Sequence, residues 1–364
     1  MEEKTINKRL LSLDVLRGIT VAGMILVNNT GTCGYNYAPF RHASWNGFTP
    51  ADLVFPMFIF LMGISTYISL KKYASQKTQA VKKIIKRSVL LIVIGILMEV
   101  LIMFFNEGVD LNLSNLRLMG VMQRLGICYG FTAILSLYVP HKHFLKIAFS
   151  ILLGYFFIQL MGDGFEKTPE NIIGIIDRAI LGESHVYLQG KQFVDPEGLL
   201  STLPAIAQVM IGFICGKRLI ENKNLQQKML FLYAFGAMLL IVGYLFSYSC
   251  PINKRLWSPS FVLVTSGVAS LLLALLVNIL DVKLQKKWAV FFEAFGANPL
   301  VLYITASILA PFLKVFDVHQ VLFNNILNPL FGNYFGSFMY GALFLIFLWG
   351  LGYILLKKRI YIKL

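Results

Sequence analysis

His42 stands in the segment RHASWNGFTPAD, which puts Arg41, Trp45, Asn46 and Asp52 within ten residues of an imidazole. An imidazole, with an unperturbed pKa near ~6.5, is a natural general base at neutral pH. A lone loop histidine is more often a bystander than a catalyst. Here its neighbours are aromatic and amide side chains, the usual lining of a sugar site. Asn28 and Asn29 close an apolar run just upstream, either as C-caps with Gly31 or as hydrogen-bond donors to an oxyanion. Asp14 and Arg17, three residues apart, share a helical face. They can neutralise each other as a snorkelling helix-end pair, or Arg17 can turn with Arg124 into a polar cavity and meet an anion such as phosphate. Asp195 and Glu197 precede another apolar run, where they can cap a helix or hold the ammonium of an amino sugar.

The elements that must position these groups are membrane helices. Of 364 residues, 57% are hydrophobic and only 14% charged, with a mean hydropathy of +0.69. Soluble domains carry roughly 25% charged residues, so this composition cannot cover a water-facing globule. The apolar residues come in blocks of about twenty, enough to cross ~30 Å of hydrocarbon. Helices are expected because hydrocarbon offers no partner to unpaired backbone groups, and barrel-like alternation is absent. The expected fold is therefore all-α and polytopic, a single integral-membrane domain over residues 1–364. Its ten spans lie near 12–30, 51–70, 87–105, 118–139, 143–162, 198–216, 229–248, 258–280, 288–310 and 335–356. The start, MEEKTINKR, has no signal-peptide cleavage pattern, so the first span should be retained.

Charge orients the spans. Seven cations (Lys71, Lys72, Lys77, Lys82, Lys83, Lys86 and Arg87) lie between spans two and three, and 23 of the 33 Lys and Arg fall on that side. By the positive-inside rule this side is cytoplasmic, and an even span count puts both termini there. The net charge of +15 then reads as topology and contact with anionic membrane lipids, not nucleic-acid binding. Loops 31–50 and 163–197 fall on the outer face, and Ile172 to Ile180 has the spacing of a short interfacial helix. Pro56 and Pro299 should kink spans two and nine. Four cysteines show no metal-ligand spacing, so no metal is expected, although Cys33 and Cys250 could form an outer disulfide. No internal repeat favours an inverted-repeat transporter.

The segments SLDVLRG (Ser12 to Gly18), VNN (Val27 to Asn29) and HASWNGFTPADLVFPMFIFLMG (His42 to Gly63) resemble the heparan-α-glucosaminide N-acetyltransferase family. So do QRLG (Gln123 to Gly126), DRAILGESHVY (Asp177 to Tyr187), DPEGLL (Asp195 to Leu200) and NKRLWSPSFVL (Asn253 to Leu263), in order along nearly the whole chain. The resemblance implies an enzyme that moves acetyl from acetyl-CoA across the bilayer to the amino group of a terminal glucosamine. It implies that His42 is the active-site histidine, Asn28 the catalytic asparagine, and Asp14 and Arg17 the aspartate and arginine of the first motif. Acetyl-CoA carries phosphate charges, so Arg17, Arg124 and the Lys82–Arg87 cluster are expected to receive it from the cytoplasm. Trp45, Asn46, Asp52, Asp195 and Glu197 are then expected to bind the acceptor. Beginning just before span one, the sequence departs from the lysosomal members, which points to a bacterial inner membrane and a periplasmic amino sugar. The resemblance leaves a homodimer open. An amino-sugar or oligosaccharide permease, and an O-acyltransferase acting on cell-envelope polysaccharide, are the competing readings.

Overall fold

A computed structural model describes residues 10–32, 34–73, 76–108, 112–187, 194–222 and 224–362. It is 77% helical, and no strand occurs among the described residues. The helices are α1 (Leu11–Asn28), α2 (Pro50–Leu70), α3 (Lys77–Glu107), α4 (Val121–Tyr138), α5 (Phe144–Leu160) and α6 (Ile172–Leu181). They continue with α7 (Thr202–Glu221), α8 (Leu225–Phe246), α9 (Pro259–Leu276), α10 (Ala289–Ala297), α11 (Pro299–Val315) and α12 (Asn328–Lys357). Among the described residues eight helices are long and apolar enough to cross a membrane, or up to nine if α10 and α11 form one broken span. The expected fourth span, α4, falls outside that set because buried Gln123 and Arg124 dilute its apolar character. Leu97, Ile241 and Phe347 are among many large apolar side chains facing outward, as lipid contact requires. The chain is an all-α polytopic membrane protein.

Where the sequence predicts one span over 288–310, the chain bends by 81° between α10 and α11. Pro299 has no N–H to continue the helix. Buried Asn298 fixes the corner: its Nδ2 donates to the Ile360 carbonyl (2.9 Å) and its Oδ1 accepts from the Ile362 N–H (2.8 Å). Pro56, by contrast, stays within the continuous helix α2.

Close packing at small residues sets the helix directions. α2 and α7 run parallel: a Cβ at Gly212 would stand 2.1 Å from the Phe60 carbonyl oxygen, and one at Gly63 2.1 Å from that of Val209. α1 runs antiparallel to α2, since Arg17 meets Ser65 and Gly23 faces Val54. α3 and α4 are also antiparallel, with Arg87 over the Tyr129 ring and Gly95 against Gln123. One end of the bundle therefore collects the starts of α2, α4 and α7 and the end of α1. The other collects the starts of α1 and α3, with the lysines of α3. Gly296 of α10 touches the Asp14 backbone, so the strap at Ile360 and Ile362 also lies at this lysine-rich end.

Candidate functional site

Thr49 caps α2, and Asp52 at the third helical position completes a capping box. Asp52 Oδ2 accepts from the Thr49 N–H (3.0 Å) and the Ala43 N–H (3.0 Å), which folds the preceding loop back onto the helix start. Its other oxygen, Oδ1, lies 2.7 Å from His42 Nδ1 and 3.2 Å from Lys254 Nζ. The carboxylate is 1% exposed and the imidazole 41%. An ionised carboxylate only accepts, so the bond between His42 and Asp52 requires a proton on Nδ1. The loop thus presents a half-exposed imidazole oriented by a buried acid. Asp52, expected to bind the acceptor, has its oxygens engaged by the helix cap, the Ala43 N–H, His42 and Lys254.

Trp45 and Asn46 serve the same loop. Trp45 Nε1 donates to the Phe165 carbonyl (2.8 Å), and its ring packs in a cluster with Tyr155, Ile173 and Leu256. Asn46 Oδ1 accepts from Asn253 Nδ2 (3.3 Å), and the Gly47 N–H donates to the Ile252 carbonyl (2.7 Å). These bonds bring the segment before α9 against the loop, which delivers Lys254 to His42. Burial lowers the Lys254 pKa from its ordinary value, and Asp52 and Glu197 counter that shift.

Asp195 is drawn elsewhere. It accepts from Arg117 Nε (3.1 Å) and Nη2, and from the backbone N–H groups of Tyr187 and Glu197 (both 2.9 Å). Its side chain is fully buried, so these contacts, and no opening to solvent, surround the carboxylate expected to bind the acceptor. Arg117 also holds Glu197 Oε2 at 2.7 Å and stacks on the Tyr187 ring. Burial opposes the Arg117 cation, but Glu197 and Asp195 more than compensate, and its pKa stands above the ordinary value. Burial would raise Glu197, yet Arg117 and Arg124 bring its carboxyl below the ordinary range.

Arg124, in the first turn of α4, is fully buried. It donates to the Gly198 carbonyl (3.1 Å) and Ser201 Oγ, with Trp257 stacked 4.9 Å away. Arg17 lies at the opposite, lysine-rich end, where it binds Asp14 Oδ1 (3.0 Å) and Ser65 Oγ (2.8 Å). The two arginines therefore do not converge on one anion. Because α4 begins at the His42 end, a charge in its first turn belongs to that end.

Asn28 lines a cavity of about 230 Å³ with Met24, Asn29, Tyr303 and Ser307. Met24 and Tyr303 also border a narrow apolar cavity of about 10 Å³ with Val21, Phe55, Phe58 and Leu300. Asp14, Arg17, Val21, Met24 and Asn28 follow one another at alternating steps of three and four along α1. They form a single stripe from the lysine-rich end to the His42 end. The sequence reading did not single out Lys254, Arg117 or Tyr303. The first lies in the NKRLWSPSFVL segment and the second is one of few cations on the sparsely charged side. Tyr303 carries no local signal. Cys33 lies outside the described residues, and with it the expected pairing to Cys250.

The family model described as heparan-alpha-glucosaminide N-acetyltransferase, catalytic, matches residues 9–250. The chain belongs to that family. It is 32% identical over 359 residues to human heparan-alpha-glucosaminide N-acetyltransferase, covering 81% of this chain and 52% of the human protein. The Mus musculus protein of the same name is 32% identical over 361 residues, covering 83% of this chain and 54% of that protein. The chain thus spans about half the length of the curated relatives it matches. The matched catalytic region holds His42, Asp52, Arg117 and Glu197, while Lys254 and Tyr303 lie beyond its end at residue 250.

Proposed function

We propose that this member of the heparan-alpha-glucosaminide N-acetyltransferase family transfers acetyl from acetyl-CoA on its lysine-rich side to the amino group of a glucosamine-type sugar on its His42 side. The observation that carries this reading is the His42–Asp52 pair, a buried acid 2.7 Å from Nδ1 of a half-exposed imidazole. The names of the relatives supply the reaction class. The excess of cations at the opposite end supports a cytoplasmic lysine-rich face with both chain ends beside it. In a bacterial inner membrane the His42 end would then be periplasmic.

The residues present fit the donor. Arg17, with the lysines that open α3, offers cations for its phosphates. From Arg17 to Asn28 the α1 stripe climbs eleven residues, or ~16 Å at ~1.5 Å per residue. An extended pantetheine arm reaches roughly 20 Å on ordinary bond lengths. Acetyl-CoA supplies an acyl carbon activated as a thioester. His42 Nε2 accepts the proton that the acceptor ammonium must lose before its nitrogen can form the new C–N bond, and Asp52 stabilises the imidazolium that results. Asn28, at the same end of the bundle, donates to the carbonyl oxygen as negative charge develops there. The imidazolium releases that first proton to solvent on the His42 side. Nε2 then takes the second proton from the nitrogen of the adduct and passes it to the sulfur as the C–S bond breaks, leaving a thiol, a neutral amide and one proton released.

The test uses the full chain in sealed vesicles, with labelled acetyl-CoA on the lysine-rich side and glucosamine on the other. The expected result is label on the sugar amine, and a fall of about 10²–10⁴-fold in His42→Ala protein that still folds. Label on hydroxyl acceptors alone would remove the N-acetyl assignment. Sugar uptake without transfer, indifferent to His42, would favour a permease.

A further inference from the structure

Lys254 reaches the His42 centre from the segment before α9, more than two hundred residues along the chain. Its ammonium lies 3.1 Å from His42 Nδ1 and 3.2 Å from Asp52 Oδ1, with the side chain only 17% exposed. Two elements place it there. The Gly47 N–H bonds to the Ile252 carbonyl, and Asn253 accepts from the Arg255 and Leu256 N–H groups while bonding Asn46. This is a fixed turn set against the histidine loop.

The charge balance gives this contact a consequence. Asp52 is a buried carboxylate, and a buried negative charge draws a proton or a cation to itself. Were His42 its sole close partner, the ring would be pulled toward imidazolium, which fills Nε2 with a proton and removes the base. Lys254 already neutralises the carboxylate and places a second positive charge against the ring. The other charged groups of the neighbourhood are Arg255, coupled to Asp52 and Lys254, and Glu197, coupled to Lys254. Arg41 belongs to the same loop, and its backbone carbonyl accepts from Thr49 Oγ1.

We propose that Lys254 is a positioning residue that keeps the His42 imidazole neutral, with its proton on Nδ1, by balancing the Asp52 charge. The inference rests on the reading of His42 as the base, but it concerns the ring itself and can be tested without substrate.

Diethyl pyrocarbonate acylates only unprotonated imidazole, and peptide mass spectrometry reads its rate at His42 separately from the other histidines. In the full-length protein, the pH midpoint of that rate is expected to move up by about one pH unit or more in Lys254→Met, as loss of an adjacent cation requires. Lys254→Arg, which keeps the charge, should match the parent. Lys254→Gln is the second neutral variant should Lys254→Met fail to fold. The acidic limb of the kcat/KM profile should move by the same amount, whereas a purely structural role would lower activity equally at every pH. An unchanged midpoint in a folded neutral variant overturns the inference. Absence of transferase activity in the parent protein, with the midpoint shift present, would overturn the proposed reaction and leave the role of Lys254 intact.

Discussion

At the scale of single residues, burial decides which polar groups act and which only hold. Asp52 and Asp195 are both buried aspartates at the start of a helical segment, yet their surroundings differ. Asp195 is saturated by Arg117 and two backbone N–H groups. Asp52 keeps one oxygen for a histidine that remains open to solvent. Asp177, on α6, is a third case. Its Oδ1 accepts from the Leu200 N–H (2.9 Å), its Oδ2 is buried without a partner, and burial raises its pKa to about 6. A carboxyl raised above its ordinary value of 3.8 binds its proton more tightly in the folded state. Its contribution to stability is therefore complete at pH values below both pKa values and is lost as pH rises through about 6. Thermal unfolding in detergent should show a falling midpoint across that window, and Asp177→Asn should flatten it. A wild-type curve with no such fall would contradict the assignment.

At the scale of elements, glycine contacts hold the site in register. α2 carries Asp52 at one end and Ser65, the partner of Arg17, near the other, and its alignment with α7 depends on Gly63, Gly212 and Gly216. A side chain at 212 would meet the Phe60 carbonyl oxygen, which belongs to helix backbone and cannot swing away. Gly212→Leu should therefore separate α2 from α7 at a cost of about 1–3 kcal/mol or more. The measurement is the loss of a monodisperse peak and of thermal stability, and full retention of both would contradict the packing described. The bend at Asn298–Pro299 belongs to the same scale. A proline in an apolar run predicts a kink, but the depth of this one depends on Ile360 and Ile362 arriving from the far end of the sequence.

For the whole molecule, the arrangement that matters is polarity. The described chain ends lie with the lysines, and His42 with its partners lies at the other end. An impermeant maleimide should therefore reach Tyr37→Cys from one side of a sealed vesicle and Lys72→Cys only from the opposite side, in a Cys33→Ser background. Labelling of both from one side would remove the need for a donor and acceptor separated by the membrane. The electrostatics agree with that polarity. The His42 end holds a compact network of Asp52, Lys254, Glu197, Arg117, Asp195 and Arg124, whereas the other end is rich in lysines among the described residues.

The sequence by itself determined what is local or additive. Blocks of apolar residues placed nine of ten expected spans on helices apolar enough to cross, counting α10 and α11 as one, and α4 as a more polar tenth. The spacing of isoleucines predicted α6. The sequence reading put Arg124 with Arg17 on the cytoplasmic side, whereas it sits in the first turn of α4 at the His42 end, bonded to Gly198 and Ser201. Tertiary structure alone decided which charges meet. Lys254 joins His42 across more than two hundred residues, and Arg117 claims Asp195 across a separation of 78. Pairing energies depend on distance in space, and a chain that folds back on itself through a dozen helices erases any relation between that distance and position in sequence.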